Sequence, residues 1–351
     1  MRCFRNAGVG RGCEADLLTA STKDLGERSS VIAQFCWGSR EQLAALNPEP
    51  QPRTSPRFWL CGGNGELPPI RQRLMVDGSE DVEPILLDGV CVGYRYADAD
   101  ADYAWLSGVL PGDATRTRKE QTFSVFERLE AALLQIGMSF SHVARTWFYL
   151  DRLLEWYGEF NQVRDAFFHS RHVYDGVVPA STGIGSSNYF GAALTAGALA
   201  VRSKRPGVVT YKALPSPLQC PALQYGSSFS RAVELVNPSY RTVLVSGTAS
   251  LEPSGETAFV GDIERQTDAT MRAVEAILHS RQMDWTDTTR GILYLKRAEY
   301  LPVWERWAHN HLPASLPISV VVADVCRDNF LVELELDAVK ETEESGHAVS
   351  L

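Results

Sequence analysis

One long internal repeat constrains this chain more than any other feature, because a repeated unit must find the same fold twice and a missed repeat misassigns the whole architecture. Ser107–Gly108, EQTFSVFERLEAALLQIGMSFSHVARTWFYLD (120–151), FNQVRDAFF (160–168) and PASTGIG (179–185) make the first copy. They return as Ser246–Gly247, RQTDATMRAVEAILHSRQMDWTDTTRGILYLK (265–296), VWERWAHNHL (303–312) and PISVVVA (317–323). The register holds throughout: Gln121 aligns with Gln266, Arg145 with Arg290, Tyr149 with Tyr294 and Leu150 with Leu295. In each copy apolar residues recur every three and four positions (Phe126, Leu129, Leu133; Met271, Val274, Leu278), which predicts an amphipathic helix. The runs TWFYL and GILYL predict a strand after it. A second amphipathic helix follows over 156–168 and 301–311, and PAST and PISV open further strands, with Pro where a missing ladder donor is tolerated. The copies span about 95–203 and 225–340, and the four prolines of SKRPGVVTYKALPSPLQCP mark a linker between them. Residues 1–60, rich in Arg, Pro and Ser, are expected to wrap the first half. The tail KETEESGHAVSL is acidic and expected to fray.

Composition narrows the function. With 351 residues the chain is long enough for two domains, and 44% apolar with 22% charged residues marks a folding chain. No stretch is apolar for 18 residues and the start lacks a signal-peptide core, so a cytoplasmic protein with no membrane partner is expected. A net charge of −9 argues against nucleic acid, which needs clustered Lys and Arg. The seven cysteines are scattered and form no C-x-x-C pair, so free thiols are expected. His169, His172, His309 and His311 show no third ligand at useful spacing, and no metal is expected. GNG (63–65) and STGIGSS (181–187) are not a dinucleotide-binding or phosphate loop, and no serine-hydrolase elbow occurs.

The strand LVELELDAV (331–339) carries chemistry. Period-two alternation puts Glu333, Glu335 and Asp337 on one face. Such a row is ordinarily solvated or guards an edge, yet the matching strand LTAGALAV (194–201) has no acid, so the second copy uses this face differently. An enclosed carboxyl would have a raised pKa and serve as a general acid near neutral pH. Arg145 opens an otherwise apolar strand, so its guanidinium is expected to reach a cleft and need a carboxylate there. Arg164 and Arg231 lie on or beside the same elements.

The second half resembles the reactive-intermediate deaminase (RidA/YjgF) family through VLVSGTASLEP, the 265–307 block and VELELDAV. That resemblance implies an α+β fold of the chorismate-mutase-like kind and trimers with sites in clefts between barrels. It also implies a catalytic carboxylate at Glu333. The family's carboxylate-binding arginine would fall where Ile318 stands, which argues against plain imine hydrolysis. The whole chain is similar to the chorismatases through ARTWFYLDRLLEWYGEFNQVRDAFF, VPASTGIG, TYKALPSPLQ, FSRAVELV and CRDNFLVELE. The resemblance divides the chain into an extension over 1–60, a RidA-like half without the acid over 61–203, a linker over 204–224, a catalytic RidA-like half over 225–340 and a tail over 341–351. It implies cleavage of chorismate to pyruvate and 3-hydroxybenzoate, the type that carries a cysteine seven residues before the glutamate, as Cys326 stands to Glu333. Glu333 would protonate the enol ether, with Glu335 the lesser acid. Arg145, Arg164 and Arg231 would clamp the dianion, Tyr149 and Tyr211 would donate hydroxyls, and no cofactor would be required. The alternatives are the hydrolytic type, which gives a dihydroxycyclohexadiene carboxylate, an enamine/imine hydrolase, and a non-catalytic metabolite-binding protein. The chain is expected to be a monomer or a homotrimer.

Overall fold

The computed structural model describes residues 5–6, 29–46, 48, 56–62, 67–77, 82–313 and 315–342. The GNG string, Cys3, Cys13 and the tail beyond 342 lie outside them. The N-terminal elements are β1 (Arg5–Asn6), β2 (Ser29–Gly38), α1 (Arg40–Ala44), β3 (Arg57–Cys61) and β4 (Ile70–Asp77). The first repeat copy contains β5 (Glu83–Leu87), β6 (Val90–Ala97), β7 (Ala101–Val109), α2 (Arg118–Leu134), β8 (Val143–Leu150), α3 (Leu153–Ser170), β9 (Ala180–Gly185), β10 (Ser187–Asn188) and β11 (Leu194–Ser203). The second contains β12 (Thr210–Leu214), β13 (Ala232–Val236), β14 (Tyr240–Ala249), α4 (Ile263–His279), β15 (Thr288–Leu295), α5 (Leu301–His311), β16 (Ile318–Val322) and β17 (Val332–Glu341).

The two copies build sheets of one plan, β5-β6-β7-β11-β8-β9 and β12-β13-β14-β17-β15-β16. The fold is α+β, two units of one plan in tandem. In each sheet the last pair is parallel, β8 with β9 and β15 with β16, because a helix carries the chain across between them. The helices cover one face. Phe126, Leu129, Phe160 and Phe167 are buried from α2 and α3, and Met271, Val274, Ile277 and Trp304 from α4 and α5. Each such side chain stabilises the fold by about 1.5–3 kcal/mol on burial. The first helix of each copy starts on a cap: Thr117 accepts from Glu120 N–H, and Asp262 from Arg265 N–H. The shared glutamine of the repeat is a polar cross-tie. Gln121 donates to the carbonyls of Ala114 and Arg116 and accepts from Ala193 N–H, and Gln266 donates to Phe259 and Asn329 and accepts from Leu331 N–H.

Of residues 1–60, the described ones other than 5–6 fall within 29–60, and strands of this region and of 70–77 enter a sheet of their own. They form most of a third sheet, β1-β4-β2-β3-β10, in which β2 runs through α1 into parallel β3 and then β4 pairs antiparallel with β2. This is the core of the repeat plan, reduced. The register shows the correspondence: Trp37 opposes Ile70 as Tyr149 opposes Thr195 and Tyr294 opposes Glu333. One step along, Phe35 opposes Gln72 as Trp147 opposes Gly197 and Ile292 opposes Glu335. The three inner faces meet in layers. The Trp37 ring lies 5.3 Å from that of Tyr149 and 5.8 Å from that of Tyr294, and the two tyrosine hydroxyls are 3.2 Å apart. Gln72 ties the third sheet to the second copy by donating to the Gly291 carbonyl and Ser319 Oγ, both at 3.1 Å.

Two expected boundaries move accordingly. The division at residue 60 falls inside β3. The linker expected over 204–224 contains β12, which pairs with β13 from Thr210↔Val236 to Leu214↔Ala232.

Gly108 shows how closely the sheets approach. It has φ +67°, and a Cβ there would lie 2.1 Å from the Arg57 carbonyl oxygen of β3. Gly108→Ala should therefore cost about 3 kcal/mol, the sum of left-handed strain and overpacking. Gly89, with φ +77° and open space around it, serves as the control, since Gly89→Ala meets the strain alone. Equal losses of melting temperature in the two variants would show that the sheets do not meet at Gly108.

Candidate active site

A cavity of about 670 Å³ opens where the first copy meets the second, walled by α3, β9, the segment 223–231, β14 and the loop leading into β17. Its floor is Glu333. The strand pattern that puts Glu333 inward also brings Glu335 and Asp337 to the same face, and all three are buried rather than solvated. The Glu333 carboxyl lies against the backbone of β14, where a Cβ on Gly247 would meet Glu333 Oε1 at 2.0 Å. Gly247 is thus a glycine because the acid occupies its side-chain space. Among the described residues no ion pair is made to Glu333, which is 4% exposed. Burial, and secondarily the charge of Glu335, push its pKa up to about 8.

Glu335 has the opposite surroundings. Arg145 Nη2 is 3.0 Å from Oε2, Arg290 Nη1 is 2.7 Å from Oε1, and Trp147 Nε1 donates to Oε1 at 3.0 Å. Arg290 Nε also pairs with Asp337 at 2.7 Å. Burial alone would raise the Glu335 pKa, but Arg290 and Arg145 hold it below the usual glutamate range. Glu335 is therefore not a lesser copy of Glu333; it is the anion that joins the two halves.

Of the three arginines expected to clamp a ligand, two line the cavity and one does not. Arg145 is fully buried and takes its carboxylate from Glu335, not from the cavity. Arg164 and Arg231 line the cavity. Arg164 donates Nη2 to Asn161 at 2.7 Å, its Nε has no partner, and its guanidinium lies over the Phe160 ring. Arg231 turns Nε and Nη2 to the Cys220 carbonyl at 3.0 and 2.9 Å and lies over Tyr225 and Phe229. A third cavity arginine, Arg327, was missed in the sequence although it directly follows Cys326. It donates to the Gly255 carbonyl at 2.7 Å and lies over Tyr225 and Phe330. None of these three guanidiniums makes an ion pair within 4.0 Å to a carboxylate of a described residue.

Neither expected hydroxyl reaches the cavity. Tyr149 is buried on the central layer against Tyr294, and Tyr211 donates from the edge strand β12 to the Ser141 carbonyl at 2.6 Å. The phenol in the cavity wall is instead Tyr157 of α3, whose pKa burial drives upward. Cys326 lines the cavity beside Glu333. Burial, with the nearby Glu333 second, pushes its thiol up to about 12, so it is a neutral S–H group. His169 stands at the rim, 3.7 Å from Asp165. No group of three or more His, Cys, Asp and Glu converges as metal ligands among the described residues, and none of their helices is long and apolar enough to cross a membrane.

Comparison with known proteins bears on this arrangement. The endoribonuclease L-PSP family matches residues 222–340. A 3-hydroxybenzoate synthase of Streptomyces hygroscopicus is 27% identical over 273 residues, 69% of this chain and 75% of that protein. The crystal structure of a chorismatase superposes with a TM-score of 0.71 at 17% identity, covering 96% of this chain and 98% of that one. Over most of its length this chain is similar to that synthase, and it shares the fold of the chorismatase.

The Glu333 environment has a thermodynamic signature. An unfolded glutamate ionises near 4.5, whereas folded Glu333 holds its proton to about 8. Between those values the folded state binds more protons, so stability falls as pH rises and then levels off. Glu333→Gln removes this dependence. The variant's gain in melting temperature over the parent should grow from pH about 5 to about 8 and be constant above. A gain that does not change with pH would place an ionised carboxylate at this position.

Proposed function

We propose that this protein is a cytoplasmic enzyme that cleaves the enol-pyruvyl ether of chorismate, forming 3-hydroxybenzoate and pyruvate, with Glu333 as the proton donor. One observation carries the reading: a buried carboxyl that keeps its proton at neutral pH faces a cavity whose other walls bear three guanidiniums without protein carboxylates. Chorismate has two carboxylates for those guanidiniums and an enol ether whose terminal methylene accepts a proton. Homology to a 3-hydroxybenzoate synthase and to a chorismatase supports this substrate.

Arg164, Arg231 and Arg327 hold the dianion by charge-assisted hydrogen bonds. Protonation of the methylene by Glu333 makes an oxocarbenium ion, and the resulting carboxylate stabilises the positive charge it has just created. Water or the neighbouring ring hydroxyl then competes for that carbon. In the aromatising branch the atoms of chorismate divide between pyruvate and 3-hydroxybenzoate; the hydrolytic branch consumes one water and gives the diene diol. Cys326, a neutral thiol beside the acid, excludes water and so favours the aromatising branch. Ile318, in β16 against Gly291, offers no guanidinium for an imine substrate. Residues of all three sheets share one core within the chain, which supports a monomer over a homotrimer.

Pyruvate release from chorismate should be measurable in a coupled assay, and kcat/KM should fall as pH rises through about 8, where the acid form of Glu333 disappears. Glu333→Gln should lose roughly a hundredfold or more of kcat; a variant keeping over about a tenth of the parent rate would remove Glu333 from the role.

Cys326→Ala enlarges and wets the cavity without touching the acid. Total pyruvate should persist while 3-hydroxybenzoate falls and diene diol rises on chromatography. An unchanged ratio would make Cys326 a packing residue, and diene diol as the parent's sole product would assign the hydrolytic reaction.

A further inference from the structure

Five ionisable groups share the buried face where the two copies meet: the guanidiniums of Arg145 and Arg290 and the carboxyls of Glu333, Glu335 and Asp337. Both guanidiniums are engaged by the latter two acids, Arg145 by Glu335 and Arg290 by Glu335 and Asp337. Two cations thus balance two anions. The third carboxyl, Glu333, is two residues along the same strand face and has no counter-ion. Arg145 nonetheless keeps Nε and Nη1 without partners. Donors are available, but the positive charge behind them is already neutralised.

We propose that Glu335 is a positioning residue for the reaction: by holding Arg145 and Arg290 it denies Glu333 a counter-ion and keeps Glu333 in its acid form. This rests on the reading of Glu333 as proton donor. The other groups around Glu333 leave that assignment intact. Arg231, just before β13, is turned to the Cys220 carbonyl; Arg164 of α3 to Asn161; and Arg327 of the loop before β17 to the Gly255 carbonyl. Tyr157 of α3 and Cys326 of that loop are neutral, and Tyr294 of β15 is bonded to Tyr149. The directions agree with the pairing: burial and then the charge of Glu335 raise Glu333, while Arg145 and Arg231 act to lower it.

The test is infrared titration of the full-length protein without substrate, following the protonated-carboxyl band that Glu333→Gln abolishes. In Glu335→Gln the two guanidiniums face one anion fewer, Glu333 ionises against Arg145, and the band's midpoint should drop by about one pH unit or more, as for charges about 7 Å apart at an effective dielectric of about 20. In Arg145→Met, Glu335 keeps Arg290 and Glu333 loses the favourable field of Arg145, so the midpoint should rise. The alkaline limb of pyruvate release should move with each. Opposite displacements are the discriminating result, because loosened packing admits water and moves both midpoints down toward an ordinary carboxyl. Unmoved midpoints, or a fall in both variants, would overturn the proposal. If Glu335→Gln does not fold, Arg145→Met decides alone, and a midpoint that does not rise overturns it. Should no variant, nor the parent, release pyruvate, the chorismate reading fails while the infrared midpoints still decide the role of Glu335.

Discussion

The ion cluster of Arg145, Glu335 and Arg290 is the constraint on which the rest of the molecule depends. Removing a carboxylate and two guanidiniums from water is expensive, and the interior accepts them only because each is matched in charge and geometry. Glu335 is fully buried, and its two cations come from β8 and β15, the equivalent strands of the two repeat copies. The cluster therefore fixes how the copies dock: a shift of either sheet along its strands would strand a buried charge. Trp147 seals it, donating to Glu335 and packing between Phe35 of the third sheet and Trp105 of its own.

Three sheets of related plan create three junctions, and among the described residues only one carries an acid at the Glu333 position. The positions equivalent to Glu333 are Thr195 and Ile70. At the first, Thr195 Oγ1 is bonded to the Val109 carbonyl, and Phe58 of β3 fills the space beside Gly197, where Glu335 stands in the other copy. At the second, β16 packs against β4 and Ile70 supplies no chemistry. The reduced third sheet thus plugs its neighbours. The two positions equivalent to Glu333 become self-bonded or apolar packing.

Much of this was legible in the sequence and some of it could not be. The repeat was visible because Gln121 and Gln266, Arg145 and Arg290, and Tyr149 and Tyr294 hold one register, and each pair has matching work in the structure. Glu333 was visible because its strand differs from 194–201. The third sheet left no such trace. Ala33, Phe35 and Trp37 share only an inward pattern with Arg145, Trp147 and Tyr149, and packing does not preserve residue identity when size and polarity can be redistributed among three faces. Arg145 shows a different limit. A buried arginine demands a carboxylate, but the sequence does not say whose, and here the carboxylate is 190 positions away. The alignment of Arg145 with Arg290 held the clue, since two equivalent arginines at one junction suggest a shared anion. Tyr149 and Tyr211 were judged by their hydroxyls, whereas their strands aim one at the central layer and the other at the sheet edge.

The same charge pattern bears on how a dianion could be handled at all. Arginines that clamp a substrate and a carboxyl that must stay protonated oppose one another, since each guanidinium favours ionisation of the acid. The arginines divide into two sets. Arg164, Arg231 and Arg327 lie among aromatic rings in the cavity walls, with backbone or amide oxygens as partners and no ion pair to a described carboxylate. Arg145 and Arg290, buried at the junction of the two copies, are engaged by Glu335 and Asp337. In the proposed reaction a bound dianion would neutralise the first set as well and strengthen the hold of Glu333 on its proton. Transfer to carbon would have to overcome that hold, and it would place a cation against a fresh carboxylate in a cavity of low dielectric, where the attraction is far greater than in water.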